Sequence, residues 1–303
     1  MTVVDAGHPP ASAAPPTAGR VLDRPSSVLR QAIRMRRTQI GLLVAGTMVA
    51  IALFGPYAAP YGARQYVGSP NLRKAPKTRF GTDYFGQDVW SRFLHGGRSI
   101  LILAVCATVL GVGLGTLFGL TAAYARGRTD ELLMRALDIL LAFPQVLLSL
   151  VVIAMFSPSG FVVVLTVGFT TVPRVARIMR GAAIGVVERD FIGAAEAIGE
   201  SRRRVLFSEI LPNVSATLLV EANLRLTYAV GLIASLSFLG FTPELNSANW
   251  GLMIQENGSA LTVQPWGVFL PTFAIAALTV GNGLISDGLS RVVAGIDRGK
   301  ANV

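Results

Sequence analysis

Charge is missing over long stretches of this chain, and those stretches set its architecture. Residues 99–125 contain no Asp, Glu, Lys or Arg, and residues 139–173 form a second charge-free run interrupted only by Ser157, Pro158, Ser159 and Gly160. Three further stretches, 40–56, 214–241 and 268–285, are apolar over the roughly 17–25 residues that cross a hydrocarbon slab as a helix. Backbone amides and carbonyls left unpaired in lipid are costly, so each stretch is expected to be helical. The run at 139–173 is too long for one span, and its Ser-Pro-Ser-Gly sequence predicts a tight turn that divides it. About six transmembrane helices follow, in an all-α membrane protein.

Composition agrees, with 15% of residues charged against about 25% in soluble domains, and a mean hydropathy of +0.55. The net charge of +10 raises the possibility of nucleic acid as a partner, but the basic residues flank the apolar spans without aromatics between them. That distribution encodes topology in a lipid bilayer instead. With both termini cytoplasmic, the inner side of the cell membrane receives most of the 27 basic residues, among them Arg30, Arg34, Arg36, Arg37, Arg126, Arg128, Arg135 and the arginines between 174 and 204. The outer side receives Arg64, Arg73, Lys74, Lys77, Arg79, Arg92 and Arg98 in one loop, and none over 242–267.

The expected organisation is a Pro/Ala-rich, then basic, cytoplasmic tail over 1–39, a first span over 40–59, and an extracytoplasmic loop with an interfacial helix over 60–98. A core of five spans over 99–290 and a cytoplasmic tail over 291–303 complete it. The polar stretch before residue 40 is too long to lead a cleavable signal, so the first span is expected to remain as an anchor.

Candidate chemistry is sparse. Cys106 lies inside the second span and has no second cysteine to pair with, while His8 and His95 have no partners at ligand spacing, so no metal is expected. Gly299-Lys300 is followed by Ala301 rather than Ser or Thr, which is not a phosphate-binding loop. No nucleophile-and-base set is present. The chain is expected to be non-catalytic, with energy supplied from outside it.

Some segments carry more than hydrophobicity. Gly111, Gly115 and Gly119 recur every fourth residue on one helical face, which permits close helix packing or a sliding surface. Phe85, Val89, Trp90, Phe93 and Leu94 suit a helix lying at the membrane interface or packed on protein. The connection over 174–213 is longer than a passive turn needs to be. Within it, Asp190 is expected to cap a short helix that ends at Gly199, Ser201 to start a second, and Pro212 to mark the return to the membrane. Two short helices meeting at a glycine make a knob for docking a cytoplasmic partner, or a solvated loop. Glu221 and Arg225 share one face of the fifth span, as a mutual salt bridge or as a lining of the transport pathway.

Ala194-Ala195, Gly199 and Leu211-Pro212 resemble the "EAA" loop of ABC importer permeases, with Gly193 where that family has Glu. Glu196, one turn on, is a candidate substitute. Gly81-Thr82-Asp83, Gly86-Gln87-Asp88-Val89, Ser91-Arg92, Phe143-Pro144, Trp250-Gly251 and Pro265-Trp266 are similar to segments of the dipeptide, oligopeptide and nickel branch. The resemblance implies the type I importer permease fold and a homologous second permease. It also implies two cytoplasmic ATP-binding subunits, which hold ATP and Mg, and an extracytoplasmic substrate-binding protein. Residues 193–196, 199, 211 and 212 would couple to the ATPases. Peptides are the expected cargo; nickel fits less well, because no histidine lies at a pathway position and Cys106 sits on a packed helix. The competing class is a secondary transporter driven by an ion gradient, for which Glu221 is the one candidate relay. A static membrane scaffold is the third reading.

Overall fold

The computed structural model describes residues 25–241 and 248–294. Residues 1–24 of the tail expected over 1–39, part of the expected outer loop (242–247) and the C-terminal 295–303 lie outside the described residues. Among the described residues the regular structure is helical: α1 Pro25–Ile33, α2 Arg36–Ala58, α3 Val89–Ala125, α4 Gly127–Leu141, α5 Gln145–Phe156, α6 Gly160–Val187, α7 Asp190–Ala197, the single turn α8 Arg202–Arg204, α9 Leu211–Phe238, α10 Trp250–Asn257 and α11 Trp266–Ala294. Five helical segments are long and apolar enough to cross a membrane, the fourth running unbroken through α8 and α9 over Arg202–Phe238. A sixth span exists if α4 and α5, bent by 81° at their junction, are taken together. Pro144 explains the bend: it has no N–H to give α4, and it forces Phe143 out of helical geometry.

Two expectations change here. The separate interfacial helix does not form, because α3 runs without a break from Val89. Its first turns are buried against α2 and α10, with Phe93 stacked on Trp250 at 5.7 Å and the Trp250 indole donating to the Phe93 carbonyl at 2.8 Å. The polar connection at 174–213 is also shorter than expected, since α6 continues through Arg174, Arg177 and Arg180 to Val187. Pro212 sits in the first turn of α9, the helix that enters the membrane, where its missing N–H costs little, although the helical run leading into it already begins at Arg202. The turn at 157–160 forms, with Ser157 at φ +69° and the Ser159 side chain capping α6 by accepting from the Val162 amide at 3.3 Å.

The centre of the bundle is the α3–α6 pair. Side chains added at Gly111, Gly115 and Gly119 would lie 2.7 Å from the Gly168 carbonyl, 2.6 Å from Val175 Cβ and 2.5 Å from the Ala176 carbonyl. In lipid no hydrophobic force draws helices together, so this backbone approach and the dispersion it recovers hold the pair. The same device joins α2 to α11 through Gly41 and Gly281, where an added side chain would meet the opposite backbone at 2.6 and 2.7 Å. α3 is a packed helix, as expected, but its packed face is the glycine face, and Cys106 lies on its exposed face.

Candidate functional site

Residues 188–201 project from the ends of α6 and α9 as a compact knob. Arg189 is the N-cap of α7, extended at φ −84° and ψ 146°, and its own side chain makes no capping bond. Asp190 is therefore not the cap expected from sequence. It is the first helical residue, where its charge still meets the positive end of the helix dipole.

The end of α7 is tightly specified. Gly199 takes φ +81°, its amide donates to the Glu196 carbonyl at 3.0 Å, and the Glu200 amide donates to Ala195 at 3.0 Å. These two bonds satisfy carbonyls the helix would otherwise leave open, and the left-handed turn they require suits glycine. Ser201 then caps α8, its hydroxyl accepting from the Arg204 amide at 3.4 Å.

Ile192 and Ala195 bury the inner face of α7 in a cluster with Leu120 of α3, Met179 and Ala183 of α6, and Val205 and Ile210. Glu196 and Tyr124, at the end of α3, line the same cavity. Gly193 faces open space, with nothing within 4 Å of an added side chain. A polar cavity of about 470 Å³ opens beside it, bounded by Tyr124, Arg126, Glu188, Arg189 and Glu196. On the far side Ile198 stands out at 78% exposure.

Between α8 and α9, residues Val205–Ile210 form a π-helical segment, with the Leu211 amide reaching back to Leu206. The knob is thereby joined to α9 without a flexible joint, and Leu211 and Pro212 lie in the shaft. Within α9, Glu221 and Arg225 form an ion pair at 2.6 Å, with side chains only 4% and 11% exposed. The Arg225 guanidinium lies over the Tyr228 ring at 5.2 Å. Asn223 points away to α11, donating to the Asn282 carbonyl at 3.0 Å and to Ser286, while Asn282 donates to Thr227 at 3.0 Å.

Two constellations escaped the sequence reading. Arg174, Arg177 and Arg180 recur at three-residue intervals along α6 and bond Gln145 at 2.7 Å, Asp138, and both oxygens of Asp130 at 2.5 Å. That ladder holds the bent α4–α5 unit to the bundle; the i, i+3, i+6 spacing of the arginines was its visible signal. The second lies at the opposite end, where Arg92 pairs with Asp83 at 2.5 Å and Glu256 at 2.9 Å, all well buried. Nearby, Gln264 donates to the carbonyls of Leu72, Phe80 and Thr82 at 2.9, 2.7 and 3.2 Å, and Arg73 donates to Thr262 and Val263. These contacts clasp residues 60–88 to the α10–α11 connection as a cap. Arg92 is thus a structural charge rather than a topological one, which accounts for its place on the expected outer side.

Comparison with known proteins is consistent along most of the chain. The family described as binding-protein-dependent transport system inner membrane component matches residues 115–294. A dipeptide transport system permease protein of Alkalihalophilus pseudofirmus is 32% identical over 252 residues, covering 82% of this chain and 83% of its own. A putative peptide transport system permease protein of Brucella suis is 35% identical over 268 residues, covering 87% and 89%. A glutathione transport system permease protein of Pectobacterium atrosepticum is 32% identical over 244 residues, covering 80% and 81%.

Proposed function

Because this chain belongs to the family of binding-protein-dependent transport system inner membrane components, we propose that it is a permease subunit of an ATP-driven peptide importer, forming half of the pathway beside a homologous second permease. Two cytoplasmic ATP-binding subunits supply the energy and hold ATP and Mg, and an extracytoplasmic binding protein delivers the cargo. Both termini face the cytoplasm. The cargo class follows the relatives, named for dipeptide, peptide and glutathione transport.

The observation that carries this reading is mechanical. The knob around Gly199 is locked to α9 through α8 and the π segment, in a continuous helical run over Arg202–Phe238. At about 1.5 Å per residue, that run extends a push on the knob through the thickness of the bilayer. Closure of the ATPases on residues 193–199 tilts the shaft and exposes the pathway to each side in turn. Ile192 and Ala195 pack the knob against Leu120 of α3, so α3 also feels its movement. The family's carboxylate at position 193 is absent, and its role in gripping the ATPase falls to backbone and to the exposed Ile198.

Glu221 and Arg225 are proposed to line the pathway. A cargo carboxylate competes with Glu221 for the guanidinium, which holds a transient site without a permanent buried charge.

A single cysteine at Ile198 in a Cys106→Ser background tests the coupling role in the assembled complex. Crosslinking to an ATP-binding subunit that changes with nucleotide is expected; no crosslink in any nucleotide state overturns it. For the pathway role, Arg225→Ala is expected to lower uptake with assembly intact, and unchanged uptake rejects it. Uptake by vesicles containing this chain alone under an ion gradient would establish the secondary-transporter class instead.

A further inference from the structure

α1 is built with three different faces. At about 100° per residue, Val28 and Ala32 lie on one face, Leu29 and Ile33 on the next, and Arg30 roughly opposite the first. The first face is buried, at 2% and 0% exposure, against Ala216 of α9 and Leu289 and Val292 of α11. The second face is apolar yet open, with Leu29 45% and Ile33 43% exposed. Beyond it stand Arg30, the turn residue Arg34, and Arg36 and Arg37 at the start of α2, all exposed. Neither α1 nor α2 has an acidic residue in its first turn, and none of the four arginines has an ion pair among the described salt bridges.

The position of this surface is fixed. α2 spans 23 residues, about 34 Å at 1.5 Å per residue, close to the roughly 30 Å of hydrocarbon. Its first residues, Arg36 and Arg37, therefore stand at the headgroup boundary. Close contact between Gly288 and Thr38 holds that end of α2 on α11. The turn at Arg34 and Met35, bonded back to Gln31 and Ala32 at 3.2 and 3.0 Å, folds α1 against the bundle at the same level.

A helix with one face on protein, one apolar face uncovered and a run of exposed arginines beyond it matches the acyl–headgroup boundary of a membrane. We propose that α1 and the start of α2 form a binding surface for anionic phospholipid headgroups, with Leu29 and Ile33 seated on the acyl chains and Arg30, Arg34, Arg36 and Arg37 on the phosphates. This role is independent of the cargo and of the coupling knob.

The test is lipid retention by the full chain. The protein is equilibrated in detergent micelles with equal phosphatidylglycerol and phosphatidylcholine, and the bound lipid is identified by mass spectrometry. Each arginine is expected to contribute about five-fold to the preference for the anionic lipid. Arg30→Gln with Arg34→Gln, which leaves Arg36 and Arg37 to direct insertion, should therefore reduce the preference by more than ten-fold. The same pair changed to Lys should retain it, and Leu29→Ser with Ile33→Ser should weaken retention of both lipids. An unchanged preference in the Gln variant overturns the proposal. So does displacement of the lipid by inorganic phosphate at matched ionic strength, which would mark a free-anion site.

Discussion

Arg92→Met gives the sharpest test of how the cap formed by residues 60–88 is held. The native side chain is 3% exposed and bridges Asp83, fully buried, to Glu256, 15% exposed. Removing the cation leaves two carboxylates facing each other with no counter-charge, a change that typically costs 3–5 kcal/mol. The Asp83 carboxylate retains backbone donors from Phe85 at 2.9 Å and Gln87 at 2.8 Å, so the lower end of that range, about 3 kcal/mol, is expected. At 1.4 kcal/mol per factor of ten, this is roughly 100-fold in the local opening equilibrium. Amide hydrogen exchange reads it directly at Thr82 and Asp83, whose N–H groups bond Leu72 and Gln87 at 2.9 Å each. Those amides should exchange about 100-fold faster in the variant, while amides of α6 stay unchanged. Adding Asp83→Asn and Glu256→Gln should recover most of the loss, because the uncompensated charges are then gone. A change under about three-fold at these amides, or an equal change in α6, would refute the reasoning, which treats the cap as a local unit closed by one cation.

The remaining predictions concern packing, the knob and pH. Gly115→Leu overlaps Val175 and the Val172 carbonyl and should destabilise the α3–α6 pair by about 1–3 kcal/mol; Gly113→Leu, where the space is open, should leave the denaturation midpoint in detergent unchanged. Gly199→Ala forces a side chain into the left-handed turn at a cost of about 1–2 kcal/mol. The Glu200 amide should then exchange faster and uptake should fall, whereas Gly193→Ala should slow exchange in α7 by relieving the glycine penalty of about 1 kcal/mol. The carboxyl of Glu256 is raised above its ordinary value of 4.5 by burial first and by the charge of Asp83, against the pull of Arg92. The folded state therefore holds that proton more tightly than the unfolded state. Its contribution is complete below 4.5 and is lost as pH rises through the shifted value. Glu256→Gln should remove that slope from the midpoint measured against pH, and an identical slope in both proteins would assign it elsewhere.

What the sequence determined by itself was everything governed by short-range rules. Hydrocarbon thickness and the cost of bare backbone placed the apolar helices, because any stretch that long and uncharged has one soluble arrangement in lipid. The turn at Ser157–Gly160, the stop at Gly199 and the start at Ser201 were equally legible, since positive φ and side-chain capping depend on residues a few positions apart. The tertiary structure decided the rest. Phe93 and Leu94 read as a stripe for the membrane interface or for protein until Trp250, far along the chain, covered Phe93 and Gly55 came close to Leu94. Arg174, Arg177 and Arg180 read as loop charges until Asp130, Asp138 and Gln145 appeared opposite them in α4 and α5. Arg92 looked like a topology error until Asp83 and Glu256 enclosed it. In each case helical periodicity fixed which way a side chain faces, but the partner came from a distant segment, and only the packed bundle brings the two within hydrogen-bonding distance.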